Sequence, residues 1–178
     1  MRKQILLPVL TVLVAALILL GLYNCTLGIR QANIEKELQA KMETILPGSS
    51  GFEAEDYTGE DTNIRTVHKG ETGYVVGVCV NGYVDEISML VGVSNDGKVT
   101  GLQIRDMAET PGLGRRALTD WRFLAQFLNN TGDAEVGTNI DALSGATVTS
   151  KAVARGINSA VGFVTGADVS SGATEWGG

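Results

Sequence analysis

The sequence predicts an α+β fold, an antiparallel sheet with packed helices, preceded by one N-terminal transmembrane helix. Three observations carry that expectation. The chain starts with a long uncharged run, its middle holds three β-rich segments joined by tight turn signals, and two helical patterns come after them. Strands and helices are thus segregated along the chain, which is the α+β arrangement and not a string of βαβ units.

Ile5 to Tyr23 is a run of 19 residues without a charge, interrupted only by Pro8 and Thr11. As a helix it would span roughly 28 Å, close to the hydrocarbon thickness of a bilayer. Arg2 and Lys3 are the only charges before it. The positive-inside rule then puts the N-terminus in the cytoplasm. The expected location is the bacterial inner (cell) membrane, single-pass, with the main domain periplasmic or extracellular. A cleaved signal peptide is the competing reading. Leu22-Tyr23-Asn24-Cys25 lacks the small residues of a cleavage site, and Tyr23 and Asn24 precede a lipidated cysteine poorly. Residues 1–25 are therefore expected to be a cytoplasmic stub and an uncleaved anchor.

Leu27, Ile34, Leu38, Met42 and Ile45 recur at helical spacing among charged residues, so 26–47 reads as an amphipathic connecting helix. Pro47-Gly48 ends it. Residues 48–166 form the extracytoplasmic domain, and the Gly/Ser/Thr-rich stretch 167–178 reads as a flexible tail. Within the domain, 48–66 is polar and reads as loop with at most one short strand. Tyr74–Val80, Glu86–Val93 and Lys98–Ile104 read as strands, with Asn81-Gly82 and Asn95-Asp96-Gly97 as the turns of an antiparallel meander. Thr119 or Asp120 can cap a helix over Trp121–Leu128, with Trp121, Leu124, Phe127 and Leu128 on one face. Thr147 or Thr149 can cap another, running through Val153, Ile157, Ala160, Val161 and Val164.

Composition excludes several classes of function. Of 178 residues, 20 are acidic and 14 basic, and two of the basic ones precede the anchor. An acidic outer domain is a poor partner for nucleic acid or anionic lipid headgroups. Cys25, Cys79 and the lone His68 supply no metal-ligand spacing. With one histidine there is no Ser/His/Asp set either, so chemistry in this domain needs a cofactor.

Two segments could hold one. Glu109-Thr110-Pro111-Gly112-Leu113-Gly114 follows the third strand, and its glycines let backbone approach a ligand. No Lys-Ser/Thr follows them, so it is not a P-loop. The second segment is "DALSGATVTS", Asp141 to Ser150. Gly145 allows a tight turn, and Ser144, Thr147, Thr149 and Ser150 crowd hydroxyls beside a helix start. Local chemistry leaves two readings open. One is a threonine cap worth about 1 kcal/mol. The other is a phosphate held by the unpaired N–H groups and dipole of the helix N-terminus.

"DALSGAT" resembles the flavinylation motif Asp-x-x-Ser/Thr-Gly-Ala-Thr of the membrane-anchored FMN-binding domains, with Asp141, Ser144, Gly145, Ala146 and Thr147 matching each defined position. "ETPGLG" at 109–114 resembles the family's second signature, in the same chain order. In size and layout the chain is similar to the G subunits of Rnf electron-transport complexes. The C subunits of sodium-translocating NADH:quinone reductases and stand-alone extracytoplasmic flavin carriers are the related alternatives. A membrane-anchored binding module without redox function is the alternative of another class.

The resemblance implies one covalent FMN per chain. A flavin transferase would join it through phosphate to the Thr147 hydroxyl. Asp141 would belong to the sequence the transferase reads. Ser144, Gly145, Ala146 and Val148 would surround the linkage, with Thr149 and Ser150 as lesser phosphate ligands. Glu109, Thr110, Pro111, Gly112, Leu113 and Gly114 would pass beside the flavin. The implied partners are the membrane, the other membrane subunits of an Rnf complex and, during maturation, the transferase. The implied role is electron relay between ferredoxin and NAD, coupled to Na⁺ or H⁺ movement and without independent substrate turnover by this chain. No catalytic residue and no metal site are implied.

Overall fold

Five strands in sequence order form one antiparallel sheet, β1 (Glu53–Glu55), β2 (Ile64–Lys69), β3 (Gly73–Asn81), β4 (Glu86–Ser94) and β5 (Val99–Met107). The computed structural model describes residues 2–107 and 119–167. Among the described residues three helices are assigned, α1 (Arg2–Ile45), α2 (Trp121–Ala125) and α3 (Thr147–Thr165). The chain divides into two compact units, Met1–Ala40 and Lys41–Gly178.

The first unit is helical. Its Val14, Leu17, Ile18, Leu19 and Leu20 are all exposed. Most of the side chains of the expected anchor, 1–25, lie outside the described residues. Among the described residues no helix is long and apolar enough to cross a membrane.

In the second unit β3, β4 and β5 are the meander expected from the apolar runs, and β1 and β2 extend it on one side. β1 falls within 48–66, read as loop with at most one short strand, and β2 begins at the end of that segment and runs beyond it to Lys69. Their residues explain the weak signal: β1 is exposed throughout, and β2 buries only Ile64 and Val67 among Arg65, Thr66, His68 and Lys69. A strand with one or two inward apolar residues gives almost no period-2 signal. Across β3 and β4 the pairs Val76↔Val91, Val78↔Met89 and Val80↔Ile87 point to one face, where α3 packs. Ala152, Val153, Ile157, Ala160 and Val161 of α3 fill that core with Phe123 and Phe127.

The other face receives the end of α1. Met42, Ile45 and Leu46 are buried there, and Thr100 Oγ1 donates to Ile45 O at 2.8 Å. Gly92 and Gly101 pair across β4 and β5 beneath it. A Cβ on Gly101 would stand 2.6 Å from Ile45 O, so these glycines are a seat for backbone. Gly48, with φ +84°, turns the chain after Pro47, as the sequence predicts.

The second expected helix is shorter and turned. Asp120, not Thr119, caps α2, its side chain accepting from Arg122 N at 2.9 Å. After Ala125 the chain continues in turns to Asn129, which takes a positive φ of 64°. The helical period breaks there. Trp121 and Leu128 are consequently exposed, while Phe123 and Phe127 go inward and meet edge to face, 5.2 Å between centroids. The expected face of Trp121, Leu124, Phe127 and Leu128 is corrected accordingly.

Candidate functional site

α3 runs antiparallel to β3. Its Arg155 donates to Asn81 O at the end of β3, Gly156 lies against Val78 and Val80, and Phe163 packs edge-on to Tyr74 near the start of β3. Thr147, two turns before Arg155, therefore sits at the end of the sheet formed by Asn81, Glu86 and Met107, the last two on strands paired through Ile87↔Met107. The chain leaves the described residues from this same end, at Met107. Residues Glu109 to Gly114 lie outside the described residues.

The approach to Thr147 is held by side chains from distant parts of the chain. Asn158, buried in α3, accepts from Ala134 N and donates to Ala134 O, both at 3.0 Å. Asn139 accepts from Glu135 N at 2.8 Å and donates to Asp133 O at 2.7 Å. Gln126 brackets the backbone of Asp141, accepting from its N at 2.8 Å and donating to its O at 3.4 Å. Ala134 and Ile140 are buried in the core. A segment tied at this many points is a rigid platform, although it contains little regular structure.

Leu143 to Ala146 form a closed turn, with Ala146 N donating to Leu143 O at 2.9 Å. Gly145 occupies its third position with φ +78°, the left-handed value a type II turn requires there. Ser150 ties this turn to the helix: its Oγ accepts from Leu143 N at 3.4 Å and donates to Ala146 O at 2.9 Å.

The threonine-cap expectation is corrected here. Ala146 occupies the N-cap position of α3, and no side chain caps the helix; Thr147 is its first residue. Ala at the cap offers no side-chain oxygen to the first N–H groups, and a helix N-terminus carries partial positive charge. No acidic residue stands in the first turn to take up that charge. Thr147, Ser144, Gly145 and Asp141 are exposed, and Val148 is half-buried. Ala146, Thr149 and Ser150 are buried, so they support the surface that Thr147 shares with Ser144 and Gly145. Gln126 and Asn158 position this site and escaped the sequence reading. The polar Asn158 inside an otherwise apolar helical pattern was the one signal available for them.

An exposed threonine at the start of a helix whose N-cap offers no side-chain oxygen, on a braced turn, belongs to the class of geometry that can accept an anion such as a phosphate. That class agrees with the family comparison: the model of the FMN-binding domain matches residues 82–162. The chain is 32% identical over 187 aligned positions to the G subunit of the Na⁺-translocating ferredoxin:NAD⁺ oxidoreductase complex of Acetobacterium woodii, covering 90% of this chain and 89% of the relative. It is 33% identical to the G subunit of an ion-translocating oxidoreductase complex of Methanosarcina acetivorans, covering 92% and 96%. A proton-translocating counterpart in Clostridium ljungdahlii is 43% identical over 99 residues, about half of each chain. The chain belongs to this family of FMN-binding G subunits of Rnf-type complexes.

Proposed function

We propose that this chain is the FMN-carrying electron-transfer subunit of an Rnf-type complex, which couples electron transfer between ferredoxin and NAD to Na⁺ or H⁺ translocation. Its FMN-binding domain and its relationship to the G subunits support that role. The chain works as one redox station of an oxidoreductase, and turnover of substrates belongs to other subunits.

The flavin is attached to Thr147. The observation that carries this is the exposed first residue of a 19-residue helix whose N-cap, Ala146, offers no oxygen to the helix N–H groups. A flavin transferase supplies FAD as the co-reactant. Thr147 Oγ1 bonds to the phosphorus of the FMN half, the pyrophosphate bond breaks, AMP leaves, and the hydroxyl proton passes to solvent. The phosphodiester so formed keeps a negative charge, which the first N–H groups of α3 stabilise. Ser144 and Gly145 flank it with small surface, and Asp141 is part of the sequence the transferase reads. The flavin supplies chemistry no side chain here has, since it exchanges electrons one or two at a time. The resemblance of Glu109 to Gly114 to the family's second signature supports that segment as a border of the flavin.

The N-terminal run is the membrane anchor. Ile5 to Tyr23 carries no charge, and its leucines and isoleucine at 17–20 are exposed to whatever surrounds the helix. With Arg2 and Lys3 inside, the flavin domain lies on the outer face of the membrane, within reach of the other subunits.

The test is co-expression with a flavin transferase, denaturation and in-gel flavin fluorescence. The parent chain and Thr138→Ala, an exposed threonine outside the motif, keep a fluorescent band, and Thr147→Ala loses it entirely. A fluorescent Thr147→Ala band would overturn the attachment.

A further inference from the structure

At the end of α3 away from Thr147, the second unit has an open groove of about 660 Å³. Phe163, which lines it, lies roughly 24 Å along the helix axis from Thr147. The floor of the groove is apolar. Val67 of β2 is buried there, and Tyr57 meets Phe163 edge to face, 5.7 Å between centroids. The rings are held in place: Tyr74 packs on the same Phe163, and the Tyr57 hydroxyl accepts from Asp61 N at 3.0 Å. The rim is acidic. Glu55, Asp56 and Glu60 stand on it, all exposed. Glu55 pairs with Lys69 at 3.6 Å, whereas Asp56 and Glu60 have no ion pair among the described residues. The C-terminal end of α3 adds charge of the same sign, since its carbonyls carry partial negative charge and its last turn has no basic residue. An aromatic floor within a carboxylate rim suits a lysine or arginine side chain, because its cation is attracted to both.

We propose that this groove docks a lysine- or arginine-bearing segment of a neighbouring subunit of the complex. The proposal rests on the reading of this chain as one subunit of an Rnf-type complex. Charge selects this occupant over two others. Residues 168–178 follow Ala167, which lines the groove, but they hold Asp168 and Glu175 and no cation. A second copy of the chain is acidic overall, with 20 acidic against 14 basic residues. A basic segment meets no such repulsion, gives Asp56 and Glu60 the partners they lack, and covers the apolar floor. Pockets for small molecules enclose most of the ligand, whereas Asp56, Thr58 and Glu60 are all exposed here. Docking at this end leaves Thr147 uncovered, so it holds the domain in the complex without blocking the attachment site.

The test is photocrosslinking in membranes that contain the whole complex, with a benzophenone amino acid in place of Thr58, an exposed residue of the groove. Mass spectrometry then identifies the captured segment. It belongs to another subunit and contains lysine or arginine beside the new bond. The crosslink is lost when Asp56→Lys and Glu60→Lys are combined, since like charges then face each other. It persists in Glu43→Lys, which reverses an exposed carboxylate of α1 on the other face of the sheet. A crosslink to residues 168–178, to a second copy or to a segment without a cation overturns the proposal. So does the absence of any protein crosslink, or a yield that the double reversal leaves unchanged. A chain that fails to co-purify with other subunits overturns the subunit reading itself, and their absence from the preparation distinguishes that result. If the double variant does not fold, the segment captured without it still decides.

Discussion

Ser150 makes two bonds with one oxygen: it accepts from Leu143 N and donates to Ala146 O, while fully buried. Removing that oxygen leaves a part-buried N–H without its partner and loosens the turn that presents Thr147. Ser150→Ala should therefore lower stability by about 1–3 kcal/mol, read as a shift in the urea midpoint of the full chain in detergent. An unchanged midpoint would mean the turn is held by Gly145 and the Ala146 N–H alone. The N-cap shows a related choice. Ser, Thr, Asp or Asn in place of Ala146 would gain about 1 kcal/mol of helix stability. The chain forgoes that gain, and its N-cap offers no side-chain oxygen beside the exposed Thr147. The sequence could locate this segment, since glycine and hydroxyls before a helical pattern mark it. It could not separate the cap from the attachment point, because Ala146 and Thr147 are adjacent and the choice depends on which residue has helical φ and ψ.

Among the elements, α3 does two things at once: its apolar side fills the core under β3 and β4, and its first residue is the exposed Thr147. The end of α1 is fixed from the opposite side of the sheet, with its last backbone carbonyl over Gly92 and Gly101. A methyl at position 101 would meet the backbone of Ile45 at 2.6 to 3.2 Å, and backbone cannot swing away as a flexible side chain can. Gly101→Ala should cost about 1–3 kcal/mol in urea unfolding. Covalent flavin at Thr147 should persist, since the two sites lie on opposite faces. Equal stability of this variant would contradict the close seating of α1. The meander of β3 to β5 was legible because its strands are apolar and bounded by Asn-Gly and Asp-Gly turns. β1 and β2 were not, because polar side chains fill both edges of their pattern. The orientation of α2 was not legible either. Phe123 and Phe127 are four apart, as are Trp121 and Ala125, and only the termination at Asn129 decides which pair goes inside.

Over the whole molecule, sequence and fold divide the labour. Among the described residues the buried apolar side chains begin at Met42. The chain before that point is helical and includes the uncharged run Ile5 to Tyr23, which the proposed function reads as the membrane anchor. The folded part is acidic, whereas the helix that begins at Thr147 has only two charged residues, Lys151 and Arg155, both cations. Gln126 and Asn158 brace the segment from outside it and Asn139 from within it, so the site depends on parts of the domain distant in sequence. Such bracing spans up to 24 residues of sequence and left no local pattern to read.

The central claim is a single bond, and fragmentation mass spectrometry of a tryptic digest tests it most directly. Cleavage after Arg122 and Lys151 releases one peptide, Phe123 to Lys151, that contains Ser144, Thr147, Thr149 and Ser150 together. The account predicts that this peptide from the native membrane protein is heavier by one FMN less one water, with the fragment series placing the addition on Thr147. An unmodified peptide, or an addition on any of its other five hydroxyl residues, Thr131 and Thr138 included, would contradict it.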